Sequence, residues 1–319
     1  MHKIEAFETG EAGWGLRCAR AIAEGEAAVV IPRSACLSAR DAPEWARHLP
    51  KSSQLAARLC VERGLGEGSR WAAYLASVPE PDAPAAWTDE EAQLLAGTRA
   101  GRARDDLLAA WADECPPEVA WADFVWAKSL VMSRTFDLEG PVLIPFLDLA
   151  NHDDEDFCAL DIDKPNDQIL FSLVATRQMG EGEPLATNYF GGRTLDPEKA
   201  LDAFGWLAGD FYVFPGGLTC RDTQDVDTLL LPALASLMGD DRRAATAAAI
   251  DLVAGALDAI DRAEPQRREA NVSSSSRRRA LASAIVDAER GSLSTFLAHL
   301  QSGGAGGGGL ECGPDAQQP

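Results

Sequence analysis

The segment Pro145-Phe146-Leu147-Asp148-Leu149-Ala150-Asn151-His152 ends an apolar run in two polar side chains, and Thr187-Asn188-Tyr189-Phe190-Gly191 follows it, with the apolar run Ile169 to Val174 lying between them. An apolar run that closes on Asn-His presents amide and imidazole groups at the rim of a core. A tyrosine in a polar, glycine-flanked turn can bring its hydroxyl to the same place. The two segments read as one site.

Working outward, the chain alternates in texture. Leu16 to Arg20 and Ala27 to Ile31 are apolar-rich, bounded by Gly and Pro, and read as short strands. From Ser53 to Gly64 and from Asp89 to Glu114 the chain is rich in Ala, Leu, Glu and Arg, with Thr88 and Glu91 spaced as a helix-capping pair. A further helix is predicted from Trp121 to Ser133, with Phe124, Lys128 and Val131 at helical spacing. Strand character returns at Val142 to Leu149 and at Ile169 to Val174. Beyond about Pro215 the pattern is helical: Ile250, Val253, Leu257 and Ile260 share one face, and Leu281, Ile285, Phe296, Leu297 and Leu300 suggest another helix. Asn271 to Arg279 reads as a polar break, and Asn271 is dismissed as a glycosylation acceptor for want of a secretory route. The Gly-rich tail from Ser302 lacks the Lys-Ser/Thr of a phosphate loop and reads as a disordered end.

Three elements now stand in a fixed order: Gly13-Trp14-Gly15-Leu16 with its following strands, the Asn151-His152 segment, and the Tyr189 segment. Between and after them come Trp71-Ala72-Ala73-Tyr74-Leu75 with Val78-Pro79, Trp87-Thr88-Asp89-Glu90-Glu91, Leu94 to Thr98, Ser133-Arg134-Thr135-Phe136, and Ala203-Phe204-Gly205-Trp206. In this order the pattern resembles SET-domain methyltransferases, in the branch typified by the Rubisco large-subunit lysine methyltransferase.

The resemblance implies an α+β fold: a β-rich SET domain at 1–215 with a threaded C-terminal part, split by a helical insertion at about 41–125. A helical C-terminal domain of the substrate-binding kind would occupy 216–301, ahead of a disordered tail at 302–319. It implies a pocket for S-adenosyl-L-methionine, with Gly13, Trp14, Gly15, Arg134, Asp148, Asn151, His152, Tyr189 and Trp206 as its residues. Glycine suits such a wall because a residue without Cβ admits close backbone approach. Arg134 falls where the branch places an arginine on the cofactor's carboxylate, a task fitted to the guanidinium fork. Tyr189 falls at the catalytic position, lining with Phe190 and Phe204 the channel through which a lysine amine reaches the methyl group. Phe190 stands where the family has Gly, Phe204 where it has Tyr, and Trp206 where it has Phe. The implied reaction is methyl transfer to a lysine ε-amine of a protein. A histidine acceptor and a non-catalytic interaction protein on the same fold stay open.

Composition narrows the partners. With 319 residues, 46% of them hydrophobic, the chain can bury a sizeable core. Twenty-nine Lys and Arg against fifty Asp and Glu leave a net charge of −21, which repels phosphate backbones and attracts basic or lysine-presenting protein surfaces. Nucleic acid is therefore not expected as a partner. The cysteines, from Cys18 to Cys312, form no Cys-x-x-Cys pair, and the acids after His152 read as a solvated loop, so no metal is expected. No apolar run is long enough to span a membrane. The expectation is a monomer of cytoplasm or nucleus, or of the chloroplast if a transit peptide was removed.

Overall fold

The computed structural model describes residues 3–9, 14–138, 140–153, 155, 157–165, 168–189, 197–205, 211–214, 218–270 and 276–302. The readings of Gly13, Phe190, Trp206, Asn271 and the tail past Ser302 lie outside these residues. The strands are β1 (Ile4–Glu8), β2 (Trp14–Cys18), β3 (Ala27–Pro32), β4 (Leu37–Ser38), β5 (Phe136–Asp137), β6 (Pro141–Leu143), β7 (Asn151–His152), β8 (Cys158–Asp163), β9 (Leu170–Ala175), β10 (Pro184–Thr187), β11 (Tyr212–Phe214) and β12 (Leu218–Cys220). The helices are α1 (Lys51–Leu65), α2 (Ala72–Ser77), α3 (Asp89–Ala92), α4 (Arg99–Glu114), α5 (Trp121–Arg134), α6 (Pro197–Phe204), α7 (Thr223–Asp225), α8 (Leu231–Leu237), α9 (Arg242–Arg262), α10 (Glu264–Glu269) and α11 (Ser276–Gln301). The fold is α+β, as the resemblance implies.

Met1–Trp87 and Ala103–Ala208 make one compact unit, and Thr88–Arg102 with Gly209–Pro319 make a second. Among the described residues the first holds three small sheets, ordered β1-β2-β10-β7, β3-β9-β8 and β4-β6-β5. Leu16, Ile22, Ile144, Leu147, Phe171, Leu173, Met179 and Leu185 are buried together between these strands. A separate apolar cluster joins α1 and α5 through Leu55, Leu59, Phe124, Ala127 and Leu130. Lys128 is buried on the same face of α5, which costs little because its ammonium donates to Ser52 Oγ (3.2 Å), Ser53 Oγ (2.8 Å) and Glu114 Oε2 (2.7 Å).

In the second unit the hairpin β11–β12 and helices α9 and α11 share a core of Tyr212, Phe214, Val253, Ile260, Leu293, Phe296 and Leu300. The capping pair forms as predicted: Glu91 N–H donates to Thr88 Oγ1 (3.2 Å) and Thr88 N–H to Glu91 Oε2 (3.0 Å). Glu289 of α11 joins the local residue Thr98 in capping α4: Thr98 Oγ1 accepts the Gly101 N–H at 3.0 Å, and Glu289 accepts the Arg99 and Ala100 N–H groups at 2.6 and 3.0 Å. Buried among these groups, its carboxyl is raised above the usual range by desolvation.

The structure corrects four readings. The strand predicted over Val142 to Leu149 ends at Leu143, because Pro145 has no N–H for a ladder and Phe146 takes φ 71°, after which Leu147–Leu149 form one 3₁₀ turn. Asp89 to Glu114 is interrupted at Gly97, whose φ of 79° ends the first turns and lets α4 start afresh. The chain past Pro215 is not wholly helical, since β12 pairs with β11 before the helices begin. Arg277 to Arg279 belong to the first turn of α11 and not to a break; Arg278 pairs with Glu91 at 2.5 Å.

Candidate active site

The two diagnostic segments meet through strand pairing. β7 runs parallel to β10, with Ala186 opposite Asn151 and Thr187 opposite His152, and β10 pairs on its other edge with β2. Gly15 of β2 thus lies close to Asn151. A Cβ at Gly15 would stand 2.8 Å from Asn151 Nδ2 and 2.9 Å from Thr9 Cγ2, so the missing side chain is what admits the asparagine amide. Trp14 sits at the rim and is half exposed.

Just past β10, Tyr189 folds back over the first segment. Its N–H donates to His152 Nδ1 (3.1 Å), which places any ring proton on Nε2. Its hydroxyl donates to the Ala150 carbonyl at 2.9 Å. Its ring centroid is 5.3 Å from that of His152 and 4.9 Å from that of Phe204, at the end of α6. Burial pushes the phenol up to about 12, so it stays protonated throughout the physiological range. With its proton committed to a carbonyl, the oxygen has lone pairs to offer and no proton to receive.

The end of α5 supplies Arg134. Its Nη1 donates to the Asp148 carbonyl at 3.0 Å and stands 3.5 Å from Asp148 Oδ2. No hydrogen bond engages its Nε or Nη2 among the described residues, which leaves a two-donor edge uncommitted. The Asp148 side chain is fully buried and its Oδ1 has no hydrogen-bond partner. Burial raises its carboxyl, opposed by Arg134 and by a hydrogen bond from the Tyr74 hydroxyl at 2.7 Å.

The structure therefore gathers Gly15, Asn151, His152 and Tyr189 in one place, sets Phe204 against Tyr189, and couples Arg134 to Asp148. Sequence reasoning gave no role to Tyr74 or to Ala150. Tyr74 carried one signal, a hydroxyl among the apolar residues of a short helix, whereas Ala150 acts through its main chain and leaves no side-chain trace. Among the described residues no group of three or more His, Cys, Asp or Glu is placed to hold a metal ion, and no helix is long and apolar enough to cross a membrane.

A sequence model of the SET domain matches residues 13–190, more than half of the chain. The chain belongs to the SET domain family. It is 26% identical over 180 residues to SET domain-containing protein 4 of Artemia parthenogenetica, covering 47% of this chain and 45% of that protein, so it spans less than half the length of that relative. Among solved structures it resembles the SET domain of LSMT bound to lysine and AdoHcy, with TM-score 0.73, 19% identity, and coverage of 94% of this chain and 87% of the other. Rubisco LSMT bound to AdoMet matches at TM-score 0.70 and 17% identity over the same shares of the two chains.

Proposed function

We propose that this protein is an S-adenosylmethionine-dependent methyltransferase that acts on the ε-amine of a lysine in a protein substrate. The observation that carries the reading is the Tyr189 hydroxyl, tied as donor to Ala150 and braced between His152 and Phe204. The matched solved structures hold AdoMet, AdoHcy and lysine, which supports the same reading.

The residues present suit the cofactor. The open Nε–Nη2 edge of Arg134 is the shape that takes a carboxylate by two parallel hydrogen bonds. Asn151, admitted by Gly15, offers an amide beside main chain that a ligand can approach, and Gly13, Trp14, His152 and Trp206 would complete the pocket. Bound there, S-adenosylmethionine supplies an electrophilic methyl group on a positively charged sulfur.

The chain's own work is on the amine. A lysine at pH 7 needs about 4 to 5 kcal/mol to shed its proton, given an unperturbed pKa near 10.4. A desolvated channel lowers that cost by disfavouring the ammonium. Tyr189 is too weak an acid to ionise and take the proton as phenolate, so its part is to accept an N–H and aim the lone pair. Phe204 and Phe190 would form apolar walls that exclude water. The surplus of acids, 50 against 29 Lys and Arg, favours basic substrate surfaces.

The test is incubation of the protein with isotope-labelled S-adenosylmethionine and a cell lysate, followed by mass spectrometry of the labelled residues. Label on lysine supports the assignment. Label confined to histidine moves the acceptor, and absence of protein label overturns the enzyme.

A further inference from the structure

Resting on the reading just given, we propose that Tyr74 and Asp148 are positioning residues that act on the cofactor only through Arg134, Asp148 gripping one corner of its guanidinium and Tyr74 holding Asp148. The resemblance placed Asp148 among the ligand contacts. The geometry points elsewhere, because no part of its side chain is exposed and neither carboxylate oxygen can touch a ligand.

What Asp148 does touch is Arg134, twice. Its carbonyl accepts from Nη1 at 3.0 Å, and Oδ2 lies 3.5 Å from the same nitrogen. Both contacts fall on one corner of a rigid planar group, so they fix where the opposite Nε–Nη2 edge points. An arginine on a flexible stem loses much rotamer freedom when it binds; one already held by a corner has less to lose.

Tyr74 makes that grip possible. It comes from α2, 74 residues before Asp148 in the chain, and its hydroxyl donates to the same Oδ2 at 2.7 Å. A buried carboxylate with one oxygen unpartnered is poorly stabilised, and loss of this donor would leave Arg134 as the remaining side-chain partner. The donor is dependable, since burial and the neighbouring Asp148 charge push the Tyr74 phenol well above its ordinary range.

A positioning role and a plain charge effect predict opposite signs. Asp148→Asn removes a negative charge near the place where the carboxylate would bind, so electrostatics alone would tighten binding of an anion. Loss of positioning weakens it. The probes are S-adenosylhomocysteine, which has the amino-acid carboxylate, and methylthioadenosine, which lacks it, titrated by calorimetry.

Tyr74→Phe and Asp148→Asn should each weaken S-adenosylhomocysteine about tenfold, the scale of one charge-assisted hydrogen bond, and leave methylthioadenosine unchanged. Arg134→Ala should show the same selectivity, and adding Tyr74→Phe to it should cost nothing more. The proposal is overturned by tighter or unaltered S-adenosylhomocysteine binding in both single variants. It is equally overturned by matched losses for the two probes, the mark of general damage, or by additive losses in the double variant. A wild-type protein that binds neither probe would instead bring down the methyltransferase reading, and this proposal with it.

Discussion

Gly15→Ala tests whether the site depends on the missing side chain beside Asn151. The added methyl would sit 2.8 Å from Asn151 Nδ2 and 2.9 Å from Thr9 Cγ2, and 3.4 Å from Phe7 Cε1. Unstrained contacts of this kind lie at about 3.5 to 4.0 Å, so both neighbours must yield by more than half an ångström. Thr9 follows directly on β1. Asn151 is held in β7 by its pairing with Ala186, and displacing its amide disturbs the proposed cofactor wall. Overpacking of this sort costs about 1 to 3 kcal/mol. For a unit of this size that corresponds to a fall in melting temperature of roughly 2 to 10 °C. The assays are thermal unfolding and calorimetric titration with S-adenosylhomocysteine. A second substitution, Asn151→Ala, should restore much of the melting temperature of Gly15→Ala, since the obstacle is gone, without restoring ligand affinity. The reasoning is refuted if Gly15→Ala melts and binds like the wild type, or if the losses of the two single variants simply add in the double variant.

Tyr189→Phe keeps the ring contacts and loses the hydroxyl, so turnover should fall roughly 10²-fold with S-adenosylhomocysteine affinity nearly intact; unchanged single-turnover rates would remove Tyr189 from the chemistry. Because the Tyr189 phenol is raised to about 12, neutral tyrosine persists across the assay range, and activity should climb with pH as the lysine amine deprotonates near 10.4. A falling limb below pH 10 that vanishes in Tyr189→Phe would contradict this. Glu289→Ala strips the buried Arg99 and Ala100 N–H groups of their acceptor and should destabilise the second unit by about 2 to 4 kcal/mol, read from urea unfolding. Phe204→Tyr adds a hydroxyl near Tyr189 and should shift products toward fewer methyl groups, by several-fold for a hydrogen bond worth about 0.5 to 1.5 kcal/mol; an identical intact-mass distribution would show that Phe204 does not set product number.

The helices of this fold were legible wherever a local rule sufficed. Thr88 and Glu91 cap α3 by a pattern three residues apart, and Val253 and Ile260 lie buried on one face of α9 as their spacing requires. The strands of the site were harder. β7 is two residues long, and its partner β10 follows only after β8 and β9, so no local period announces either. Phe146 defeated the reading of Val142 to Leu149, since a positive φ on a bulky residue is held by its surroundings. At the site itself, the family resemblance pointed to Asn151, His152, Tyr189 and Arg134. It could not show that Asp148 is sealed from contact, that Tyr74 bonds to it, or that a backbone oxygen of Ala150 holds the key hydroxyl, because each depends on partners distant in sequence or on main chain.

The parallel join of β7 to β10 rests on two residue pairs, and this brevity has a consequence for the life of the protein. A nascent chain that has emerged only through β9 already contains Asn151 and His152 but has no Ala186 to align them and no Tyr189 to close on Ala150. The pocket is therefore among the later things the first unit acquires during synthesis, and a contact between remote segments is entropically dear to make. A ligand gripping both flanks would act as a clasp, adding about 2.7 kcal/mol when its concentration is a hundred times its dissociation constant. Removal of such a ligand would withdraw that increment from the first unit, so the unit's melting temperature would report on how fully the two flanks are clasped.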